Sequence, residues 1–171
     1  MSSKNRMLRQ DRVILEGLEG KYGKEAVANA IMLIANNGSD VEEQTVSPQE
    51  AVLDYIMYLE GLRIRLREIH WACDRKSTHL LTDEIISGAE SLEDSIAEDL
   101  MGICGFRIKV GCIVPKITML VDLCEVLDEF SNATLQLCAS LENDERFTGI
   151  VNELDDVMHD IGKWKYLATF K

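Results

Sequence analysis

Two histidines and three carboxylates in the stretch HWACDRKSTHLLTDEIISGAESLEDSIAEDLMGICG, residues 70 to 105, have the types and spacing that metal chemistry needs. His79 and Asp83 stand four residues apart, as do Asp94 and Glu98, and His70 precedes His79 by nine. On a helix a four-residue step brings two side chains to one face, where an imidazole and a carboxylate can share an ion. Imidazole nitrogen with carboxylate oxygen is a mixed donor set that suits iron, and also manganese or zinc. The alternative for such a stripe is a solvated charged face, the commonest use of acidic residues on a helix.

The element that must carry these groups is a long helix from about Ser77 to Ile103. At about 100° per residue, Leu81, Leu92, Ile96, Leu100 and Ile103 fall within about 60° of Ile85 and define a core face. His79, Asp83, Asp94 and Glu98 point the other way, between about 120° and 220° from it. Leu80, Ile86, Ala97 and Met101 share that outward stripe, which is unusual for a face meant only for water and reads as an interface. Asp83 and Asp94 lie about 16 Å apart along the axis, too far to share an ion within one helix. Two half-sites result. An antiparallel copy of the helix packed across a twofold axis would set His79 and Asp83 of one chain against Asp94 and Glu98 of its mate, giving two equivalent sites per dimer. His70, near the end of the preceding helix, can reach the His79 and Asp83 end.

The remaining elements follow from capping and periodicity. Ser47-Pro48-Gln49-Glu50 offers a capping serine, proline at the first helical position and glutamate at the third, opening a helix that runs to about Cys73 with Val52, Ile56, Leu59, Leu66 and Ile69 on one face. Val114-Pro115 reads as a second helix start, for a third helix carrying Ile117, Leu120, Cys124, Leu127, Leu135, Cys138 and Leu141 and ending near Glu142. Between them GFRIKVGCIV is glycine-punctuated and β-rich, a crossover loop. A fourth helix begins near Asp144 and places Phe147, Val151, Leu154, Met158, Ile161 and Ala168 on a stripe. The expected fold is all-α: a four-helix bundle over residues 48–171 with a crossover between helices 2 and 3. Residues 1–47 read as an N-terminal helical arm, two short helices broken at Gly20 to Gly23, ending in the acidic linker GSDVEEQTV. The arm either packs on the bundle or docks into a larger assembly.

Composition sets the outer bounds. The chain has 171 residues, 46% of them hydrophobic, enough for one core. Its 18 basic and 30 acidic residues give a net charge of −12, which argues against nucleic acid as a partner. Lys4, Arg6, Arg9 and Arg12 make a small basic cluster that the acidic body outweighs, so no retention of duplex DNA at physiological salt is expected. No long apolar run suggests a membrane span, and MSSKNRMLRQDR lacks the apolar stretch of a signal peptide, so an intracellular, cytoplasmic protein is expected. The five cysteines form no CxxC pair and read as reduced, mostly buried thiols. Asp156-Val-Met-His159 is half of a bundle-core di-iron motif without its second half, and Asp155, Asp156 and Asp160 read as a solvated face. Nucleotide-binding and serine-nucleophile motifs are absent.

His70-Trp71, then His79, Asp83 and Asp94-Ser-Ile-Ala-Glu98, followed by Gly102 and Gly105, resembles the ferroxidase signature of the Dps-type mini-ferritins. That family builds a di-iron site across a subunit interface from an HW pair, a histidine with an aspartate four residues on, and a DxxxE eleven residues after that aspartate. The step from the first to the second histidine is nine residues here and commonly twelve there, which shortens the turn and leaves the placing of His70 for the structure to decide. The pattern is closer still to an uncharacterised ferritin-like domain family of phages and large viruses, with HW, a nine-residue step to histidine, and an ending similar to Lys165-Tyr166-Leu167-Ala168-Thr169-Phe170. The resemblance covers about Pro48 to Lys171. It implies binding of ferrous iron by His70, His79, Asp83, Asp94 and Glu98, oxidation by peroxide or oxygen, mineral storage in a closed dodecamer, and Trp71 beside the site. In the competing expectation the chain is a ferritin-like structural or interaction protein, a phage or virion component docked through its arm.

Overall fold

The computed structural model describes residues 46–170, and these residues are all-α. Four helices follow in order: α1 (Pro48–Ala72), α2 (Lys76–Cys104), α3 (Leu123–Leu141) and, after a single 3-10 turn (Glu145–Phe147), α4 (Thr148–Ala168). The N-terminal arm expected over residues 1–47 lies outside the described residues apart from its last two positions.

The start of α1 is the capping box that its sequence spells. Ser47 Oγ accepts the Glu50 N–H at 3.3 Å, and the Glu50 carboxylate accepts the Ser47 N–H at 3.0 Å. Those contacts satisfy amides that the first turn leaves open. They also hold the Glu50 carboxyl below its usual range, the Ser47 backbone bond first and its hydroxyl second. At its far end α2 stops on Gly105, whose φ of 67° is left-handed and suits a residue without Cβ.

α1 packs on α2 and α3, and α4 packs on the same two partners. The core lies between them. Ile56, Leu59, Leu62 and Leu66 of α1 meet Ile85, Ile96 and Leu100 of α2, with Leu127, Phe130, Phe147 and Ile150 closing the other side. Leu81, Ile85, Leu92, Ile96 and Leu100 are buried, so the core face of α2 read from periodicity is the one observed, and Ile103 is half-buried. Tyr55 donates its hydroxyl proton to Thr134, whose own proton goes to the Phe130 carbonyl, so this buried pair is satisfied.

The third helix departs from expectation. Pro115 does not open it: residues from Gly105 to Asp122 form neither helix nor strand, and α3 begins at Leu123 with Asp122 as its cap, accepting from the amides of Cys124 and Glu125. The physical reason is that α1 holds the segment extended. Lys116 donates its amide to the Met57 carbonyl at 2.9 Å, and Arg65 grips the Thr118 carbonyl with Nε and Nη2 at 3.0 and 2.7 Å. Gly61 makes room for this, since a Cβ there would stand 2.1 Å from the Lys116 oxygen. With its start displaced, the helix turns a different face inward. Leu127 and Leu141 are buried as expected, but Ile117, Cys124 and Leu135 are exposed, while Val126, Phe130, Thr134 and Leu137 fill the core.

The cysteines also differ from expectation. All five are free, but Cys112 and Cys124 are exposed and Cys73, Cys104 and Cys138 only half-buried. No helix among the described residues is long and apolar enough to cross a membrane.

Candidate metal centre

The site begins with the short turn Cys73 to Arg75, which lays the last turn of α1 beside the first turn of α2. His70 and His79 meet across it. Their rings stack with centroids 3.6 Å apart and planes 28° from parallel. The nine-residue step therefore places His70 against His79 rather than away from it. Asp83, one turn further along α2, puts Oδ1 3.2 Å from His70 Nδ1. One ligand atom from each of His70, His79 and Asp83 lies within 4.8 Å of the others. His70 is tucked in, its side chain 15% exposed, while Asp83 stays 57% exposed on the outer face.

Backbone carbonyls fix the rings. His70 Nδ1 lies 3.2 Å from the His79 carbonyl, and His79 Nδ1 lies 3.2 Å from the His70 carbonyl. A carbonyl can only accept, so in the neutral rings both Nδ1 atoms carry the proton, an assignment made from the network. Each ring then keeps its Nε2 lone pair free. A metal-binding histidine is commonly held in this way, one nitrogen giving its N–H to a carbonyl or carboxylate and the other left for the ion.

Two residues that the sequence reading did not single out complete the arrangement. Thr82, fully buried, sits with Oγ1 2.9 Å from the carbonyls of both Thr78 and His79 and 3.3 Å from His70 Nδ1. Cys73 donates its S–H to the His70 carbonyl at 3.2 Å, with sulfur 3.9 Å from His79 Nδ1. Thr82 follows His79 by three, a spacing that could have flagged it; nothing in the sequence marks Cys73.

Asp94 and Glu98 are exposed on the same helix but are not part of this cluster. Asp94 borders a cleft with Ala97, Met101 and, from the connection, Ile108 and Ile113. Beside it Arg63 is ringed by Glu93, Glu60 and Glu90 at 2.6, 2.9 and 3.1 Å. Burial pushes the Glu93 carboxyl above its usual range although Arg63 pulls the other way. Glu98 lies further on, near Gly102, Gly105 and Arg107. A single chain thus brings together His70, His79 and Asp83 and leaves Asp94 and Glu98 apart. Of their companions on the outer face, Leu80 is exposed and Ile86, Ala97 and Met101 are half-buried. Trp71 is 72% exposed and does not pack at the helix end. Asp155, Asp156, His159 and Asp160 are all exposed on α4.

The chain matches no protein-family model, no curated protein and no solved structure.

Proposed function

We propose that the protein binds ferrous iron at a site shared between two chains and oxidises it, in the manner of a mini-ferritin. The observation that carries this reading is the His70, His79 and Asp83 cluster, in which each imidazole has its Nδ1 at a backbone carbonyl and one potential ligand atom within 4.8 Å of the others. Nitrogen and carboxylate donors suit iron, with manganese and zinc as the other ions this set takes. Asp94 and Glu98 of a second chain, brought across a twofold axis through the outer face of α2, supply the carboxylates that the cluster needs. Iron is here the substrate: two ferrous ions give one electron each to hydrogen peroxide, which with two protons leaves as two waters. Oxidation requires only ligands that favour the ferric product and an open position for the oxidant, so no separate nucleophile is needed.

Anaerobic titration of the full chain with iron(II), with its solution mass measured in parallel, tests the proposal. The expected result is a dimer or a multiple of it that binds iron, and that binds it more weakly in Asp94→Asn and Glu98→Gln with the helical content unchanged. A chain that takes up no iron, manganese or zinc would end the reading.

A scaffold or interaction protein is the second reading, and the connection favours it. Val110, Val114, Ile117, Met119 and Val121 are exposed there, and from Phe106 to Val121 the charged residues are Arg107, Lys109 and Lys116. Such a basic, apolar strip on an acidic chain is a surface for another protein. A phage or virion role belongs to this reading, which predicts a stable oligomer or complex with no bound metal.

A further inference from the structure

We propose that the connection before α3 is an open strand edge that takes up an extended, acidic and apolar segment of another protein by main-chain pairing. The proposal rests on the second reading above, names the partner of that surface and does not depend on iron. From Ile117 to Val121 exposure alternates: Ile117, Met119 and Val121 are 47%, 85% and 71% exposed, while Thr118 and Leu120 between them are half-buried. A period of two belongs to extended chain, in which successive side chains point to opposite faces. The inner set is occupied. Leu120 packs on the core, Arg65 holds the Thr118 carbonyl, and the Thr118 hydroxyl donates to Glu129 at 2.8 Å and accepts the Leu120 amide at 3.2 Å.

The outer set is open. Among the described residues neither the amide nor the carbonyl of Ile117, Met119 or Val121 makes a hydrogen bond. Alternate residues of an extended chain present these groups along one edge, a template on which a further strand can pair. The contacts of Lys116 and Thr118 with α1 already hold this edge in place, so a partner need order only itself. Charge then selects the partner. In a chain with 30 acidic residues none stands from Phe106 to Val121, whereas Arg107, Lys109 and Lys116 do. Lys116 pairs with Asp54 at 3.0 Å, but Arg107 and Lys109 are exposed and make no ion pair among the described residues. An acidic segment meets opposite charge here and like charge over much of the remaining chain, which fixes where it docks. Main-chain bonds would hold it, and its apolar residues would lie beside Met119 and Val121. An anionic lipid surface offers charge without the amides and carbonyls that a strand edge takes.

The test uses the full chain and a peptide of about ten alternating valine and glutamate residues, about the upper length of a strand. A valine and lysine peptide of the same length and vesicles of anionic phospholipid are the comparisons. Binding is measured by titration, and pairing by hydrogen exchange of the backbone amides. The glutamate peptide should bind and slow exchange at Ile117, Met119 and Val121, and the lysine peptide should bind at least about 10-fold more weakly. Met119→Pro removes one edge donor where the fold uses none, so it should keep the helical content and weaken the glutamate peptide about 10-fold. Arg107→Glu with Lys109→Glu, which leaves the backbone alone, should weaken it as well. A chain that binds neither peptide, or both equally, overturns the proposal, as does a folded Met119→Pro chain that binds like the native one. Vesicles that protect the same amides would assign the strip to lipid and overturn both the proposal and the surface reading. Amides already protected in a free chain with the mass of a dimer would put a second copy there, which keeps the surface reading and overturns the acidic partner.

Discussion

Glu84 on α2 accepts two hydrogen bonds from α4, from Lys163 Nζ at 2.7 Å and from Trp164 Nε1 at 3.1 Å. The Lys163 bond first, and the Trp164 bond second, hold its carboxyl below the usual range. A carboxyl that titrates lower in the folded state stabilises the fold above its unfolded value of about 4.3, and that contribution disappears as pH falls through the folded value. Both partners of the ion pair are about half exposed, so solvent screening keeps the effect small. Glu84→Gln should therefore show a shallower loss of stability on the acid side than the native chain, read from urea midpoints between neutral pH and pH 3. Equal acid slopes for the two would remove the contact from the account. At this same scale the site was only partly legible in the sequence. His79 and Asp83 announce themselves by a four-residue step on one helix, and His70 by its tryptophan neighbour. Thr82 is marked at most by its three-residue step from His79, and its approach to His70 comes only when the turn at Cys73 to Arg75 folds; no pattern marks Cys73.

Helices with strong local signals were legible, and the connection was not. Ser47 to Glu50 carries a complete capping box, and α2 keeps one apolar face over its whole length, so both could be placed from sequence. Pro115 offers the proline of a helix start without the capping serine and glutamate that accompany Pro48, and the chain stays extended there while Met57 and Arg65, more than fifty residues before Lys116 and Thr118, take their backbone groups. Local propensity yields there to a contact remote in sequence. Gly61 is the test of that contact. Alanine is favoured over glycine inside a helix by about 1 kcal/mol. Here its Cβ would stand 2.1 Å from the Lys116 carbonyl oxygen, a backbone atom that cannot swing aside as a side chain can, so the clash wins. Gly61→Ala should destabilise the fold by roughly 1–3 kcal/mol, measured by urea unfolding. A neutral or stabilising result would show that the segment does not lie on α1.

At the scale of the whole, two exposed surfaces among the described residues are not explained by water alone. One is the outer face of α2, where Leu80 stands exposed among His79, Asp83, Asp94 and Glu98; the other is the apolar strip of the connection, where Met119 is 85% exposed. The central claim is that each metal site draws its two ends from different chains. A dimer of one His79→Ala chain and one Glu98→Gln chain, isolated through different affinity tags, tests it most directly by anaerobic iron(II) titration. One of its sites would combine both substitutions and the other would be wholly native. If the sites act independently, the mixed dimer should recover about half the iron of the native dimer, above either variant paired with itself. A mixed dimer that binds no more iron than the two variant homodimers, or a native chain that binds iron fully as a monomer, would contradict the account.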